Sequence, residues 1–184
     1  MTAPAAVRRA TASDARAIEE VRFAGWAHAY AGLMPAAVFD DWDVGAWALR
    51  RAEAGVAPGA AVFVAEDDGG AVVGYAAAGP CRDGGCGDWG EVWAIYVLPR
   101  VIGAGVGRAL MNACLGHLDG YPRVVVWTLR DNPIAHPFYA RAGFARDGAS
   151  RRQVLGGAEL PEVRLTLRWA PSGGGGGGEY QRVR

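Results

Sequence analysis

The sequence has little of what marks several large classes of protein. Its 184 residues carry a formal net charge of +0, so no basic surface is predicted to attract nucleic acid. No apolar run approaches the roughly 20 residues of a membrane-spanning helix, and residues 1–14 lack the apolar core of a signal peptide. We therefore expect a cytoplasmic protein that binds neither nucleic acid nor membrane.

Cysteine is also scarce, with three residues in the chain. An odd and sparse set argues against a framework of disulfides. Cys81 and Cys86 flank a glycine-rich turn, where they could pair with each other or contribute to a metal site. A structural zinc ion requires four ligands, so we expect no metal. Cys114 falls on the apolar face of a predicted helix, as a small core residue.

The sequence does contain a strand, a glycine loop and a helix in immediate succession. Residues 91–98 have the Val, Ile, Trp and Tyr content of a buried strand, and Pro99 ends the run. Glycines follow at 103, 105 and 107, and apolar residues then recur at helical spacing from Val106 to Leu118. The first N–H groups of a helix are unpaired, so a pyrophosphate could bind at residues 103–108. On this stretch alone, a turn that binds no ligand explains the pattern equally well.

A second segment, residues 132–144, gives this loop a more specific interpretation. Together the two segments resemble the GNAT acetyltransferase superfamily, over roughly residues 5–170. The first family motif is matched by Pro99, Gly103, Gly105, Gly107 and Leu110, and the second by Asn132, Ala135, Phe138, Tyr139, Gly143 and Phe144. The chain departs from the first motif at Ile102, where the family has Gln or Arg, and at Ala104, where a basic residue is frequent. The loop thus keeps its backbone donors and loses side-chain contacts to phosphates.

The resemblance implies acetyl-CoA as co-substrate and indicates which residues would hold it. The phosphates would lie on the loop and helix start, which comprise Gly103, Ala104, Gly105, Val106, Gly107 and Arg108. The backbone of Ile95, Tyr96 and Val97 would pair with the pantetheine amides, as an added strand pairs with a sheet edge. Asn132 would hydrogen-bond the pantetheine arm, with a plain helix cap as the alternative.

The same resemblance predicts two catalytic residues. Tyr139 matches the tyrosine that the family places near the sulfur, where a phenol can give its proton to the leaving thiolate. Glu91 begins the central strand, where the family commonly has a glutamate that acts as a base through water. The alternatives are a core tyrosine and a solvated or ion-paired strand end. Asp88 and Glu66 are weaker substitutes for the base, and His28 is a third option.

The substrate side is expected to be aromatic. By resemblance it is built from the first two helices, their loop and the loops near the end of the sheet, with Trp26, Tyr30 and Trp89 as the predicted substrate-binding residues. Further rings that could contribute are Phe39, Trp42 and Trp93, and the nearby acids are Asp40, Asp41, Asp43 and Asp88. Aromatic walls with a few acids suit an amine cation. A small-molecule amine is favoured, such as an antibiotic, a polyamine or an amino-acid derivative. A protein N-terminus or lysine is the second choice, and a non-catalytic CoA-binding domain the third.

The expected fold is α/β, with a mixed, mostly antiparallel sheet of six to seven strands, helices on both faces and a splayed central strand pair. The closing strands are predicted at 145–154 and 162–169. The acetyltransferase domain is expected to span residues 1–170, followed by a flexible glycine-rich tail at 171–184. Family members often dimerise, and the last strands are a plausible interface for a homodimer.

Overall fold

The computed structural model describes residues 6–30, 32, 37–40, 42–155 and 158–168. Its strands form one seven-stranded sheet in the order β1-β2-β3-β4-β5-β7-β6. The strands are β1 (Ala6–Arg9), β2 (Ala61–Glu66), β3 (Val72–Pro80), β4 (Gly90–Val97), β5 (Arg123–Leu129), β6 (Ala145–Leu155) and β7 (Ala158–Arg168). The β4–β5 pair is parallel, and the other pairs are antiparallel. The predicted α/β fold class is thus confirmed.

Helices cover both faces of this sheet. They are α1 (Ala15–Ala29), α2 (Ala37–Asp40), α3 (Val44–Ala54), α4 (Val106–His117) and α5 (Ala135–Arg141). The alternation of side chains along β2 shows the two faces: Phe63 packs in the core cluster of α4, and Val64 packs with Ile18 and Val21 of α1. Each face of the sheet is therefore buried under its own helical layer.

The two central strands separate soon after they begin. β4 and β5 pair through Gly90 with Val124 and Glu91 with Val125. Two residues further along β4, Trp93 is an extra residue relative to β3, because Ala77 lies opposite Ala94 while Ala78 lies opposite Val92. A bulge of this kind bends its strand and increases its twist. The second half of β4 consequently leaves β5, and an opening forms between them.

The last hairpin differs from the prediction. β7 begins at Ala158 instead of residue 162, so the strand includes Pro161. Proline is tolerated there because Pro161 lies just beyond the end of β5, which pairs up to Leu129 with Glu162. The Pro161 carbonyl still accepts a hydrogen bond from Arg130 N, at 2.9 Å. Trp169 and the predicted tail at 171–184 lie outside the described residues.

Among the described residues, no helix combines the length and the apolar composition that crossing a membrane requires.

Candidate active site

The glycine loop delivers unpaired backbone donors at the start of α4. Gly103 and Gly105 have φ angles of +85° and +89°, a left-handed conformation that glycine adopts without strain. The first bond of the helix runs from Ala109 N to Gly105 O, at 3.0 Å. Within the part of the chain that the structure describes, the N–H groups of residues 106–108 donate to no carbonyl or side chain. The helix start therefore has the donors and the positive dipole end that bind an anion.

A close approach to α5 explains the third glycine. A Cβ atom at Gly107 would lie 3.2 Å from Cε2 of Phe138, closer than most Cβ contacts. Glycine at this position lets α5, which carries Tyr139, lie against the start of α4. The two motifs of the sequence therefore meet in space.

The edge of β4 that faces the opening has unused backbone groups. Leu98 N donates to Val73 O at 2.8 Å, so alternation along the strand turns the backbone of Tyr96 towards β3 as well. The N–H and C=O groups of Ile95 and Val97 point the other way, where β5 has already separated. An extended ligand in the opening could pair with these two residues. Tyr96, the third residue predicted to offer its backbone to a ligand, pairs with β3 instead, and its side chain lines the cavity described below.

Tyr139 lies on α5 and packs in the core cluster that contains α4 residues, and Asn132 lies shortly before that helix. Tyr139 is buried between Phe138 and Phe144, with ring centroids 5.2 and 5.9 Å away. Burial raises the pKa of Tyr139 well above the ordinary value of a phenol. Asn132 Oδ1 accepts hydrogen bonds from Ile134 N at 3.0 Å and Ala135 N at 3.1 Å, so it caps α5 as the alternative reading expected. Its side-chain N–H groups are the part left for a ligand.

A cavity of about 370 Å³ lies on the α1 face of the sheet, beside the point where β4 and β5 separate. Its lining residues come from α1, the β3–β4 loop and strands β4 to β7, and they are Trp26, Tyr30, Arg82, Asp83, Glu91, Trp93, Tyr96, Trp127, Leu129, Arg151, Gln153 and Glu162. The volume is that of a small-molecule site. The predicted residues Glu91, Trp26 and Tyr30 are thus brought together in one cavity.

Glu91 is buried in the wall of this cavity and is held by one neighbouring residue. Its Oε2 atom accepts a hydrogen bond from Arg82 N at 2.8 Å, and its Oε1 atom lies 2.5 Å from Arg82 Nη2. The Arg82 guanidinium also lies over the Trp93 ring, 5.0 Å from its centroid. Both oxygens of the buried carboxylate are therefore hydrogen-bonded, and its orientation is fixed.

A second cluster of charged residues lines the same cavity. Arg151 bridges two carboxylates, with Nη1 at 3.1 Å from Asp83 Oδ1 and Nε at 2.7 Å from Glu162 Oε2. Its guanidinium stacks over Trp127, 4.2 Å from the ring centroid. With its amide nitrogen towards Glu162, Gln153 donates to both oxygens of that carboxylate, at 3.0 and 3.1 Å. Sequence reasoning missed these residues, and no local pattern marks them, because residues 150–153 are all polar and Glu162 is one of several charged residues in β7.

Two tyrosine hydroxyls of the cavity wall are close enough to hydrogen-bond. The hydroxyl of Tyr30, which caps the C-terminal end of α1, lies 3.1 Å from that of Tyr96 in β4, within hydrogen-bonding distance. The Tyr96 ring is fixed by Tyr75, which stacks on it at 5.9 Å, and by Gly25, where a Cβ atom would come within 3.0 Å of the ring. Burial raises the pKa of Tyr30 to about 12. Both groups therefore remain neutral hydrogen-bonding groups near neutral pH.

Several predicted residues lie elsewhere. Trp89 does not line the cavity, because its ring lies between the guanidiniums of Arg123 and Arg164, at 4.7 and 5.2 Å. The other candidates for the base do not line the cavity either. His28 and Asp88 are exposed, and Glu66 pairs with Arg8.

The acids predicted near the amine are also absent from the cavity lining. Asp43 caps α3 by accepting a hydrogen bond from Ala46 N, Asp40 is exposed, and Asp41 lies outside the described residues.

The cysteines of the β3–β4 loop are bonded to each other. The Cys81–Cys86 disulfide closes the loop that carries Arg82 and Asp83, so it realises one of the two alternatives expected for this pair. The Asp83 carboxylate lies beside the two sulfurs but is bound by Trp127 Nε1 and Arg151. Cys114 is buried in the core beside α4 residues, as predicted.

Comparisons with known proteins identify the family to which this sequence is similar. A family described as "Acetyltransferase (GNAT) family" matches residues 21–144. The N-acetyltransferase YuaI of Bacillus subtilis is 30% identical over 167 residues, which are 86% of this chain and 90% of that protein. The mycothiol acetyltransferase of Frankia casuarinae is 36% identical over 130 residues, which are 63% of this chain and 37% of that longer protein.

Solved structures share the fold. The Salmonella typhimurium protein yncA, solved with its cofactor acetyl-CoA, superposes with a TM-score of 0.64 at 25% identity, over 94% of this chain and 98% of that one. The PaiA N-acetyltransferase of Thermoplasma acidophilum, in complex with coenzyme A, gives a TM-score of 0.66 at 15% identity, over 91% and 100% of the two chains. The chain belongs to the GNAT family of acetyltransferases.

Proposed function

We propose that this acetyltransferase moves the acetyl group of acetyl-CoA to the primary amine of a small molecule. The observation that carries the proposal is the cavity of about 370 Å³ beside the β4–β5 opening, with Glu91 in its wall. A cavity of this size, with aromatic walls and a few convergent polar groups, is typical of a small-molecule site. The name of one relative, mycothiol acetyltransferase, also indicates a small acceptor.

The residues around the opening fit a coenzyme A thioester. The free N–H groups at the start of α4 suit the phosphates, and the unpaired backbone of Ile95 and Val97 suits the amides of the pantetheine arm. When bound, the thioester would supply an activated acetyl group. Tyr139 lies on the α4 side of that opening and the cavity on the α1 side. Donor and acceptor would thus approach from opposite faces of the sheet.

The protein must help the amine lose a proton. An alkyl amine with a pKa of about 10.4 is neutral in roughly one molecule in a thousand near pH 7, so forming the nucleophile costs about 4–5 kcal/mol. Glu91 is the proposed base, directly or through water, and Arg82 orients it. Tyr139 is the proposed acid for the sulfur, because a phenol with a raised pKa keeps its proton until the thiolate forms.

The proposal is tested by incubating the protein with acetyl-CoA and a panel of small amines, and by following thiol release together with the mass of the product. Acetylated amine at a rate that depends on Glu91 and Tyr139 supports it. A peptide N-terminus or peptide lysine in the same panel tests the second candidate. The chain itself has no lysine, so side-chain acetylation of the enzyme adds no background. The cytoplasmic location and the homodimer stay predictions from the sequence.

A further inference from the structure

The charged side chains of the cavity do not balance. Three carboxylates line it, Asp83, Glu91 and Glu162, against two guanidiniums, Arg82 and Arg151. Arg82 is matched by Glu91, so that pair is neutral. Arg151 is shared by Asp83 and Glu162, which leaves one excess negative charge in this triad.

No neighbouring group removes that excess from within the cavity. Arg22 and Arg51 share one carboxylate, that of buried Glu19, at 3.1 and 2.5 Å, so this cluster carries one excess positive charge, but neither guanidinium lines the cavity. Arg164, on the far side of Trp127, pairs with Asp147 at 2.8 Å. The excess charge therefore faces the space where the acceptor would bind.

Two cationic side chains of the cavity wall already pack against aromatic rings. The guanidiniums of Arg82 and Arg151 each lie over an indole ring, at 5.0 and 4.2 Å from the centroid, with a carboxylate at their edge. The rings of Tyr30 and Tyr96 form a further stretch of aromatic wall. Glu162 is near enough to Tyr30 for its charge to raise the pKa of that hydroxyl. An ammonium group in this corner would thus have an aromatic face and the excess negative charge together.

We infer that the acceptor is a cationic amine without a carboxylate, and that the Asp83–Arg151–Glu162 triad selects it against amino acids. The inference rests on the proposed function and narrows its substrate class. A carboxylate on the acceptor would bring a second uncompensated negative charge into the cavity, whereas an ammonium group neutralises the first. Discrimination against an unwanted partner by like charge is a common source of specificity.

The test uses three pairs of compounds that differ by one carboxylate: tyramine with tyrosine, agmatine with arginine, and putrescine with ornithine. Both binding, by calorimetry in the presence of coenzyme A, and kcat/KM are measured for each member. We expect the decarboxylated member of at least one pair to bind, and to be preferred at least 10-fold. Equal or reversed preference, or no binding of any member at 10 mM, would overturn the inference. Preferred binding without turnover would support the inference and contradict the proposed function.

Two variants assign the preference to the triad. Glu162→Gln removes the excess charge and keeps the shape, so the preference should shrink at least 5-fold while acetyl-CoA binding stays unchanged. Glu159→Gln, on the same strand, removes an exposed carboxylate that pairs with Arg152 and should leave the preference as it is. An equal effect of both changes would mean that general surface charge sets the preference and would refute the role of the triad.

Discussion

The buried Glu91 carboxylate is bound at both ends by one residue, Arg82. The Arg82 backbone N–H lies 2.8 Å from Oε2, and the Arg82 side chain reaches Oε1 from the same loop. The guanidinium is more than half exposed, whereas the carboxylate is 2% exposed. Arg82 can therefore move without repacking the core, while Glu91 cannot.

Glu91→Gln should lower kcat/KM by about 10²–10⁴-fold, the usual contribution of a positioned general base. The amide has the same shape as the carboxylate but cannot take a proton from the amine. Steady-state rates on an accepted amine measure the effect, and circular dichroism confirms that the variant is folded. Asp88→Asn, which changes an exposed acid of the β3–β4 loop, should keep wild-type rates. The assignment of Glu91 as the base fails if the two variants are equally active.

Arg82→Ala should lower both rate and stability. The change leaves a buried carboxylate with one backbone donor, and because the guanidinium is partly exposed we expect a loss of about 1–2 kcal/mol in the free energy of unfolding. Urea denaturation measures that loss. Arg82→Lys should recover little of the rate, because lysine cannot reproduce the side-on contact of a guanidinium. Full activity in the lysine variant would show that Arg82 contributes charge alone.

Tyr139→Phe should reduce kcat at least 10-fold and leave the dissociation constant of acetyl-CoA unchanged. The ring keeps its contacts with Phe138 and Phe144, so the fold loses only the hydroxyl proton that the thiolate would take. Stopped-flow thiol release and calorimetry separate the two quantities. Tyr121→Phe, a half-buried tyrosine of the α4–β5 connection, serves as the matched control. If both variants retain full activity, Tyr139 is a core residue.

Reduction of the Cys81–Cys86 disulfide should disturb the cavity without unfolding the protein. The bond closes a short loop whose members Arg82 and Asp83 contact Glu91, Trp127 and Arg151. Loop closure of this length contributes about 2 kcal/mol to the free energy of unfolding. The double variant Cys81→Ser, Cys86→Ser should lose stability of this order and show a raised KM for the amine. Its rates should no longer respond to dithiothreitol, unlike those of the wild type.

Stability should fall in alkaline solution. Burial raises the pKa of Cys114 from 9.0 to about 12 and that of Tyr30 from 10.0 to about 12, and it raises the pKa of Tyr75, Tyr96 and Tyr139 further. Above pH 9 the unfolded chain loses these protons first, so it binds fewer protons than the folded chain and the free energy of unfolding decreases as pH rises. Urea titrations between pH 8 and 11 measure the slope. Tyr30→Phe should make the slope shallower, and a flat profile in the wild type would contradict the burial of these groups.

Local patterns predicted most of the elements, including the glycine loop and the helix that follows it. Apolar alternation marked β2 and β3, and the glycines with the helical repeat marked the loop and α4. Elements whose position depends on distant pairing were harder. β7 inserts between β5 and β6, and this arrangement brings Arg151 and Glu162 to the cavity. No local pattern shows which strand lies beside β5, so the acidic triad could not be predicted.

Trp89 and Trp127 show that local sequence also does not predict which single side chain faces the cavity. Both are tryptophans near the central strands, and both stack with Arg164. Trp127 lines the cavity because its position in β5 faces α1, while Trp89 precedes β4 and turns towards Arg123. Composition predicted aromatic residues around the substrate, and Trp26, Tyr30, Trp93 and Trp127 line the cavity, but which rings line it depends on the direction of each side chain.

The most direct test of the account is calorimetric titration with acetyl-CoA of the wild type and of Ala104→Lys, Ala104→Gln and Ala104→Glu. Ala104 is exposed in the loop and has a negative φ, so each side chain fits without strain and only its charge differs. If the phosphates bind at the start of α4, affinity should increase at least 3-fold with lysine, change little with glutamine and decrease at least 10-fold with glutamate. Equal affinities in all four proteins would contradict the placement of acetyl-CoA on this loop.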